Sequence, residues 1–503
     1  MLTRWAEVET PVRLSPPPAG SRLDADVCVI GAGAAGITIA QALGRAGIDT
    51  ILLEAGGREP GPEADEPYRG RSVEVYGGRI SDMYLHRTRL RWFGGTTNHW
   101  AGWCRPLDAI DLAARAWVPD SGWPLLWAEL APWYEPAAAM VGVGAFVGST
   151  APRLRRNAEL PLAADANFQA RLFRMSKPTR FGPAYGPELD ASAFVRVVAD
   201  APVRAIRSDP ARVTHVEVAG PAGPWTVHAR RYVLACGGIE NARLLLASDA
   251  DRPGGLGNDH DLVGRYFADH PEVKPCARVI LQSPRRTSLK PWLGWLDSKL
   301  GATHAYLQAT DAFLEREGLL RYSAELRPVD DPPDPALACM TDAVGALGAL
   351  DGREVNTALL EVVGRVEVAP NRESRVTLGE DRDAGGMRRV VLDWRIDERT
   401  ERTLVEGTRE LARTLAIAGL GRLQPLTRPA WKQIVGGCHH MGTTRMAADP
   451  TRGVVDARCR VHSAPNLWVG GSSVFATTGI ANPTLTIVAL ALRIADDLIR
   501  GEP

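Results

Sequence analysis

Two short segments in the C-terminal part of the chain carry residue types that could do chemistry. The first, residues 438–443, reads CHHMGT, and the second, residues 479–484, reads GIANPT. A neutral imidazole within hydrogen-bond reach of a hydroxyl can take its proton, and a neighbouring amide can hold the oxygen without competing for that proton. Together with a nucleotide-binding signature at the other end of the chain, the segments of His439 and Asn482 suggest an enzyme that takes hydrogen from an alcohol.

Both residues also have a structural interpretation, which the sequence leaves open. His439 could be a buried histidine bonded to the backbone, and His440 is predicted to pack rather than react. Asn482, followed by Pro483 and Thr484, also suits an N-cap with proline at the first helical position. A capping oxygen could not bind substrate as well. In either case the helix that starts here presents partial positive charge, which suits an anionic cofactor edge.

The elements that position these groups begin at the other end of the chain, with a glycine signature. Gly31 permits a tight turn, Gly33 lets a pyrophosphate approach the backbone, and Gly36 allows close packing of helix on strand. Glu54 stands at a strand end, where it can accept hydrogen bonds from a ribose. This pattern predicts dinucleotide binding without separating FAD from NAD. The predicted β-α-β unit consists of the strand Asp26–Ile30, the helix Ile37–Ala46 and the strand Asp49–Leu53.

A resemblance to a known family separates the two cofactors. The segments 93–100, 234–246 and 469–486 resemble the flavin-contacting segments of the glucose–methanol–choline (GMC) oxidoreductases. The pattern from His439 to Thr443, together with Asn482-Pro483, is similar to the catalytic segment of that family. The order and spacing of the motifs agree over nearly the whole chain. Only residues 276–430 resemble the family loosely.

The resemblance implies FAD as cofactor and a hydroxyl group as the site of oxidation. His439 aligns with the base that takes the hydroxyl proton, hydride goes to flavin N5, and Asn482 aligns with the partner that holds the oxygen. His99 occupies the position that some members join covalently to the flavin 8α-methyl group; the alternative is simple packing beside Trp100. The cofactor-contacting residues implied are Gly31, Gly33, Gly36, Glu54, Gly95, Thr96, Asn98, His99, Val203, Gly471, Pro483 and Thr484.

The substrate class rests on the tryptophan-rich residues 92–133. They resemble the branch that contains pyranose oxidases, glycoside oxidases and fructose dehydrogenases, which implies a sugar, glycoside or aminosugar hydroxyl. The electron acceptor, oxygen or another carrier, stays open. Two alternatives remain. One is a lyase of the same fold with structural FAD; the other is an NAD-dependent enzyme or a non-enzymatic nucleotide-binding protein.

Composition excludes several other classes of function. The 503 residues have zero formal net charge, which predicts neither nucleic acid nor an anionic membrane as partner. Seven cysteines without a C-x-x-C pair predict no metal site and a reducing, cytoplasmic compartment. We find no apolar leader at the N-terminal end and no run of about 20 apolar residues that could span a bilayer.

The chain is long enough for two domains, which the motif order predicts to be interleaved. The fold class is α/β with an α+β second domain. Residues 1–275 and 431–503 form a Rossmann-like FAD-binding domain, in which 57–140 is a lid or flavin-contact region and a possible homo-oligomer interface. Residues 276–430 form a substrate domain on an antiparallel sheet. Its predicted elements are the strands Ala277–Leu281, Glu361–Val368 and Arg389–Trp394 and the helix Glu398–Ala418.

Overall fold

The structure is a computed structural model of the chain. It describes residues 15–62, 64–75, 78–79, 83–144, 160–284, 302–329, 355–426 and 434–501, together with single positions between 292 and 346. The sequence predicts an irregular arm over residues 1–23; residues 1–14 lie outside the described ranges, and Arg22 and Leu23 belong to a strand.

The first sheet contains the predicted β-α-β unit, which is confirmed. The strand Arg22–Ile30 pairs in parallel with Thr50–Leu53 and with Gly223–Leu234, and the helix Ala34–Arg45 connects the first two. The strand is apolar where both of its faces are covered, and Val27, Cys28 and Val29 are fully buried. In order across the sheet, the strands are Arg460–Val461, Ala464–Val469, Gly223–Leu234, Arg22–Ile30, Thr50–Leu53 and Val195–Val198, with Val213–Gly220 and Val203–Ser208 attached beside Gly223–Leu234.

The C-terminal helix covers this sheet and brings the two ends of the described chain together. Thr484–Arg500 packs against Ala34–Arg45 and buries its apolar face, including Leu485, Val488 and Ile494. The start of this helix therefore lies close to the glycine turn that follows the first strand.

A second, antiparallel sheet forms the other half of the molecule, as predicted. It draws on more of the chain than residues 276–430, since strands from around residues 103 and 170 also belong to it. The helix predicted over Glu398–Ala418 is found as Glu398–Ile417, with the Asp397 side chain accepting from Thr400 N at 3.1 Å as its N-cap. The strands in order are Gly421–Pro425, Pro271–Pro284, Val355–Val366, Tyr322–Pro328, Ala302–Ala309, Phe168–Met175 and Trp103–Cys104, with Ile434–Gly436 beside Pro271–Pro284.

The prediction that Arg389–Trp394 belongs to the antiparallel sheet is wrong. The strand Arg388–Asp393 pairs with Arg375–Arg382 and with Arg71–Ser72 in a separate small sheet. This sheet is tied to the first domain, because Val376 N donates to Gly264 O at 2.8 Å. Alternation of side chains predicts a strand but carries no information about its partner.

The remaining elements are short. The stretch predicted as a lid or flavin-contact region, 57–140, holds only brief helices and strands where it is described. These and the other short elements are the helices Met83–Arg87, Ala109–Leu112, Trp127–Leu130, Tyr134–Met140, Phe181–Ala191, Glu240–Ala247 and Asp311–Glu317, the 3-10 turns Glu66–Tyr68, Gly95–Asn98, Ala131–Trp133 and Ser472–Val474, and the strand pair Glu74–Val75 with Gly78–Arg79. In the ranges given above, no helix has the length and apolar character that crossing a membrane would require.

Gly36 offers a direct test of the helix–strand packing. A Cβ at Gly36 would lie 1.8 Å from Gly31 O, whereas a Cβ at Gly33 would meet nothing within 4 Å. We expect Gly36→Ala to lower the free energy of unfolding by ~1–3 kcal/mol, because overpacking outweighs the better helix propensity of alanine. Gly33→Ala is the matched control and should leave stability nearly unchanged. Denaturation of the apoproteins compares the two, and equal stability of both variants would contradict the packing argument.

Candidate active site

A cavity of about 670 Å³ is lined by residues of both large sheets. It brings together most of the residues that the sequence singled out. Gly36 and Asn98 are not among its lining residues; Gly36 packs the helix, and the Asn98 amide donates to Phe93 O at 3.0 Å. The predicted residues that line the cavity are Gly31, Gly33, Glu54, Gly95, Thr96, His99, Val203, His439, Gly471, Asn482, Pro483 and Thr484.

The glycine turn leaves room for a ligand beside the backbone. Gly31 has φ +100°, and a Cβ there would lie 2.7 Å from Ala235 O, so only glycine fits the turn. Gly95 approaches the same turn closely, since its Cβ would lie 3.0 Å from Gly33 Cα. The space beside Gly33 is open, and the helix that starts at Ala34 directs its first N–H groups toward it. This cradle fits the pyrophosphate of a dinucleotide.

Glu54 is held rigidly at the edge of the cavity. Its two carboxylate oxygens accept hydrogen bonds from Ala32 N and Gly56 N, each at 2.9 Å. Burial raises the pKa of Glu54, and the two backbone N–H groups oppose that rise. A carboxylate can accept about four hydrogen bonds, so acceptor sites remain for the hydroxyls of a ribose.

The start of the C-terminal helix answers the question that the sequence left open for Asn482. The helix begins at Thr484 with Pro483 as N-cap, and no side chain caps it. Asn482 Oδ1 instead accepts from Arg365 Nη1 at 3.0 Å, and Asn482 Nδ2 lies 3.0 Å from His439 Nε2. Asn482 is thus a partner of His439, and the free N–H groups of the helix start face the cavity.

His439 stands at the centre of a hydrogen-bonded group. Its Nδ1 lies 2.9 Å from His270 Nδ1, and its Nε2 meets the Asn482 amide. Burial lowers the pKa of His439 well below its usual value, and the nearby His270 and Arg365 lower it further. The ring is therefore neutral near pH 7, as a proton acceptor must be.

The backbone around His439 is held by a single buried carboxylate. Asp269 Oδ1 accepts from His439 N at 2.8 Å and from His270 N at 2.6 Å, while Oδ2 accepts from Cys438 N at 3.0 Å. The Tyr84 hydroxyl donates to Oδ2 as well. Burial raises the pKa of Asp269 to about 6, against the lowering effect of these donors, so the group is ionised at neutral pH.

An ion cluster from the antiparallel sheet borders the same group. Arg365 Nε and Nη2 both donate to Glu272 Oε1, at 2.9 and 2.5 Å, and Lys274 pairs with the other oxygen. Burial alone would raise the pKa of Glu272, but the charges of Arg365 and Lys274 lower it well below its usual range. The cluster thus keeps a fixed positive group against Asn482.

Sequence reasoning missed these supporting residues. Asp269, His270, Glu272 and Arg365 are not among the site residues predicted from the sequence. One signal was available: Arg365 interrupts the otherwise apolar run from Val362 to Val366. A charge in a buried strand needs a partner, so such an interruption indicates a site.

Two neighbours of His439 do not join the chemistry. His440 Nε2 lies 3.2 Å from Thr88 Oγ1, and its ring packs edge-on against Tyr84, in line with the predicted packing role. Cys438 is exposed on the cavity wall, but desolvation there raises the pKa of its thiol to about 12, which keeps it protonated at neutral pH.

Comparison with known proteins places this site in a family. The family model described as GMC oxidoreductase matches residues 370–491, and the model described as FAD binding domain matches residues 24–69. Paromamine 6'-oxidase from Streptomyces fradiae is 30% identical, with 94% of this chain and 92% of that protein covered. The fructose dehydrogenase large subunit from Gluconobacter japonicus is 24% identical, with 95% of this chain and 98% of that protein covered.

A solved structure supports the fold. Formate oxidase from Aspergillus oryzae superposes with a TM-score of 0.58 at 17% identity, covering 96% of this chain and 99% of that one. A full-length relative at 30% identity, the two family models and the glycine cradle agree on the cofactor and on the type of enzyme. The chain belongs to the GMC oxidoreductase family and is an FAD-dependent oxidoreductase.

Proposed function

We propose that this enzyme oxidises a hydroxyl group of a sugar, glycoside or aminosugar to a carbonyl. The observation that carries the proposal is the pairing of a neutral His439 with Asn482 at 3.0 Å, on the cavity that fits FAD. FAD, when bound, supplies the acceptor for the hydride that leaves the carbinol carbon. The chain itself supplies the base and the groups that orient the oxygen.

His439 Nε2 takes the hydroxyl proton in this proposal, with the substrate hydroxyl replacing the Asn482 N–H at the single lone pair of this nitrogen. Asn482 Nδ2 has two N–H groups, of which one points to His439 and the other is available to the substrate oxygen. An N–H directed at an oxygen that gains negative charge stabilises the transition state more than the ground state. Arg365 fixes the amide in this orientation, because a guanidinium can only donate and Asn482 Oδ1 must face it.

The substrate class is supported by relatives and by the cavity wall. One relative is named for oxidation of paromamine at its 6' position, and another is named a fructose dehydrogenase. Trp100 and Trp103 line the cavity, and aromatic faces suit stacking on sugar rings. An anaerobic screen of sugars, glycosides, aminosugars and simple alcohols, read as loss of flavin absorbance, tests the class. The same screen repeated with oxygen or artificial carriers identifies the electron acceptor.

We also propose a cytoplasmic location and an interleaved arrangement in which 276–430 forms the core of the substrate domain. The location is supported by the free thiols of Cys28, Cys104, Cys236 and Cys459 in the described chain. The arrangement is supported by the antiparallel sheet, although its strands Trp103–Cys104, Phe168–Met175 and Ile434–Gly436 come from residues outside 276–430.

Replacement of the base tests the mechanism. His439→Ala should slow anaerobic flavin reduction by the roughly 10²–10⁴-fold typical of a positioned base, because alanine cannot accept the hydroxyl proton. Stopped-flow absorbance measures the rate, with flavin content determined beforehand. His260→Ala, at an exposed position, is the matched control and should match the wild type. A near-wild-type rate in His439→Ala would refute the assignment.

The pH dependence of the reaction follows from the lowered pKa of His439. Protonated imidazole cannot accept a proton, so the rate falls as pH drops through the pKa of His439. Because that pKa lies well below the ordinary value of about 6.5, kcat/KM should be flat from pH 7 upward and fall only on the acid side. An inflection above pH 7 that depends on His439 would contradict the neutral, buried base.

We propose in addition that His99 would be joined to the 8α-methyl carbon of bound FAD. A C–H bond of the methyl group would be replaced by a C–N bond, with loss of protons to solvent and of two electrons to the flavin and then to the electron acceptor of the enzyme. The side chain is exposed in the cavity wall, beside Trp100. Burial lowers the pKa of His99, and the charge of Arg180 lowers it further, which keeps a ring nitrogen unprotonated for bonding.

Acid precipitation tests the covalent bond. The flavin should stay with the precipitated wild-type polypeptide and be released from His99→Asn, which retains a polar side chain but no ring nitrogen. Release of all FAD from the wild type into the supernatant would refute the covalent bond. That result would not affect the roles proposed for His439 and Asn482.

A further inference from the structure

We propose that His270 is a positioning residue that fixes the tautomer of His439, so that the proton-free nitrogen of His439 faces the substrate. The inference rests on the proposed function, since it assigns a role relative to the base. It follows from the donors and acceptors that meet the two rings.

The first constraint comes from the far side of His270. Its Nε2 lies 2.9 Å from Gly479 O. A carbonyl oxygen can only accept, so His270 Nε2 must carry the proton and donate it. Gly479 has φ +57°, and a Cβ on it would lie 2.8 Å from Asp111 Cγ, so only glycine fits this closely packed position. The acceptor for His270 is therefore part of a packed turn.

The second constraint is the charge of His270. The ring is fully buried, and burial lowers its pKa to about 4, with Arg365 contributing in the same direction. His270 is thus neutral at pH 7, and a neutral imidazole has a proton on only one nitrogen. Since that proton is on Nε2, His270 Nδ1 has a lone pair.

The orientation of His439 follows. Its Nδ1 lies 2.9 Å from His270 Nδ1, and because His270 Nδ1 has the lone pair, His439 Nδ1 must carry the proton of that contact. His439 is also neutral, so its Nε2 has the lone pair and points to Asn482. The tautomer that the mechanism requires is thereby set from the His270 side.

The Asn482 side gives the same answer independently. Arg365 can only donate, so Asn482 turns its oxygen to Arg365 and its amide nitrogen to His439 Nε2. His439 Nε2 must then accept a hydrogen bond from the amide, which is possible only if the proton of the neutral His439 ring is on Nδ1. The carbonyl of Gly479 and the guanidinium of Arg365 stand at the two ends of one hydrogen-bonded chain. Both ends require the same position for every proton between them.

The charged and titratable groups around the two rings are few. They face the rings from the antiparallel sheet and from the segment of His439 itself. In the described ranges they include Asp269 with Tyr84, Glu272 with Lys274, Arg365, Cys438 and His440. None of them contacts His439 Nδ1 or Nε2 directly, so His270 is the group placed to control which nitrogen is protonated.

Two substitutions of His270 distinguish the loss of its hydrogen-bond acceptor from the loss of its ring volume. His270→Asn can place its oxygen where Nδ1 stands and still accept from His439, whereas His270→Leu offers no acceptor. We expect His270→Leu to slow anaerobic flavin reduction at least about ten-fold at unchanged flavin content, and His270→Asn to recover to within about three-fold of the wild type. His228→Asn, remote from the site on the strand Gly223–Leu234, controls for the loss of a histidine. Equal rates in His270→Leu and His270→Asn would overturn the proposal.

The tautomer can also be read without turnover. In holoenzyme labelled with 15N-histidine, the signals of His439 are assigned by their loss in His439→Gln. The wild type should show a protonated Nδ1 and an unprotonated Nε2 on His439, and His270→Leu should shift this balance toward protonated Nε2. The reverse assignment in the wild type would overturn the proposal, and this measurement stands even if His270→Leu does not fold.

The outcomes distinguish this inference from the proposed function. A fully active His439→Ala refutes the proposed base, whatever the tautomer found. An inactive His439→Ala combined with wild-type rates in both His270 variants refutes the role of His270 alone.

Discussion

The arrangement of the site depends on one buried carboxylate. Asp269 accepts two backbone N–H groups from the segment 438–439, one from His270 and the hydroxyl of Tyr84. It thereby joins the start of the antiparallel sheet to the segment that carries His439. Without it, the N–H groups of Cys438 and His439 would lose their buried acceptor, at a cost of about 1–3 kcal/mol each. The position of the base is therefore set by the backbone around Asp269 before any contact of its own ring.

Arg365 acts on the same site through charge as well as geometry. A fixed positive charge beside two imidazoles disfavours their protonation, and it lowers the pKa of both His270 and His439. Glu272 compensates the burial of Arg365 by pairing with it, and Lys274 pairs with the other oxygen of Glu272. A cation that orients Asn482 by hydrogen bonding thus also keeps the base uncharged. The Arg365 side chain thus sets both the orientation of the Asn482 amide and the neutral state of the imidazoles.

The local parts of this structure could be predicted from the sequence, whereas the contacts between distant parts of the chain could not. The turn at Gly31, the strand end at Glu54 and the helix start at Thr484 each have a signature within a few residues, and each lies on the cavity. Asp269 and His270 meet His439 across about 170 positions of sequence, a separation over which spacing carries no information. The misplaced strand Arg388–Asp393 has the same cause. The alternating side chains of this segment predict a strand, but its neighbouring strands depend on packing elsewhere in the chain.

The packing of Thr484–Arg500 on Ala34–Arg45 also has a consequence for the order of folding. During synthesis the first strand and helix leave the ribosome early, yet the strand Ala464–Val469 and the last helix, which complete their sheet, are made only after the whole antiparallel sheet. The face of Ala34–Arg45 that packs against the last helix therefore stays without this partner through most of translation. The first domain cannot close around its nucleotide cradle until the second has been made, so this enzyme acquires its cofactor site as a late event of chain synthesis.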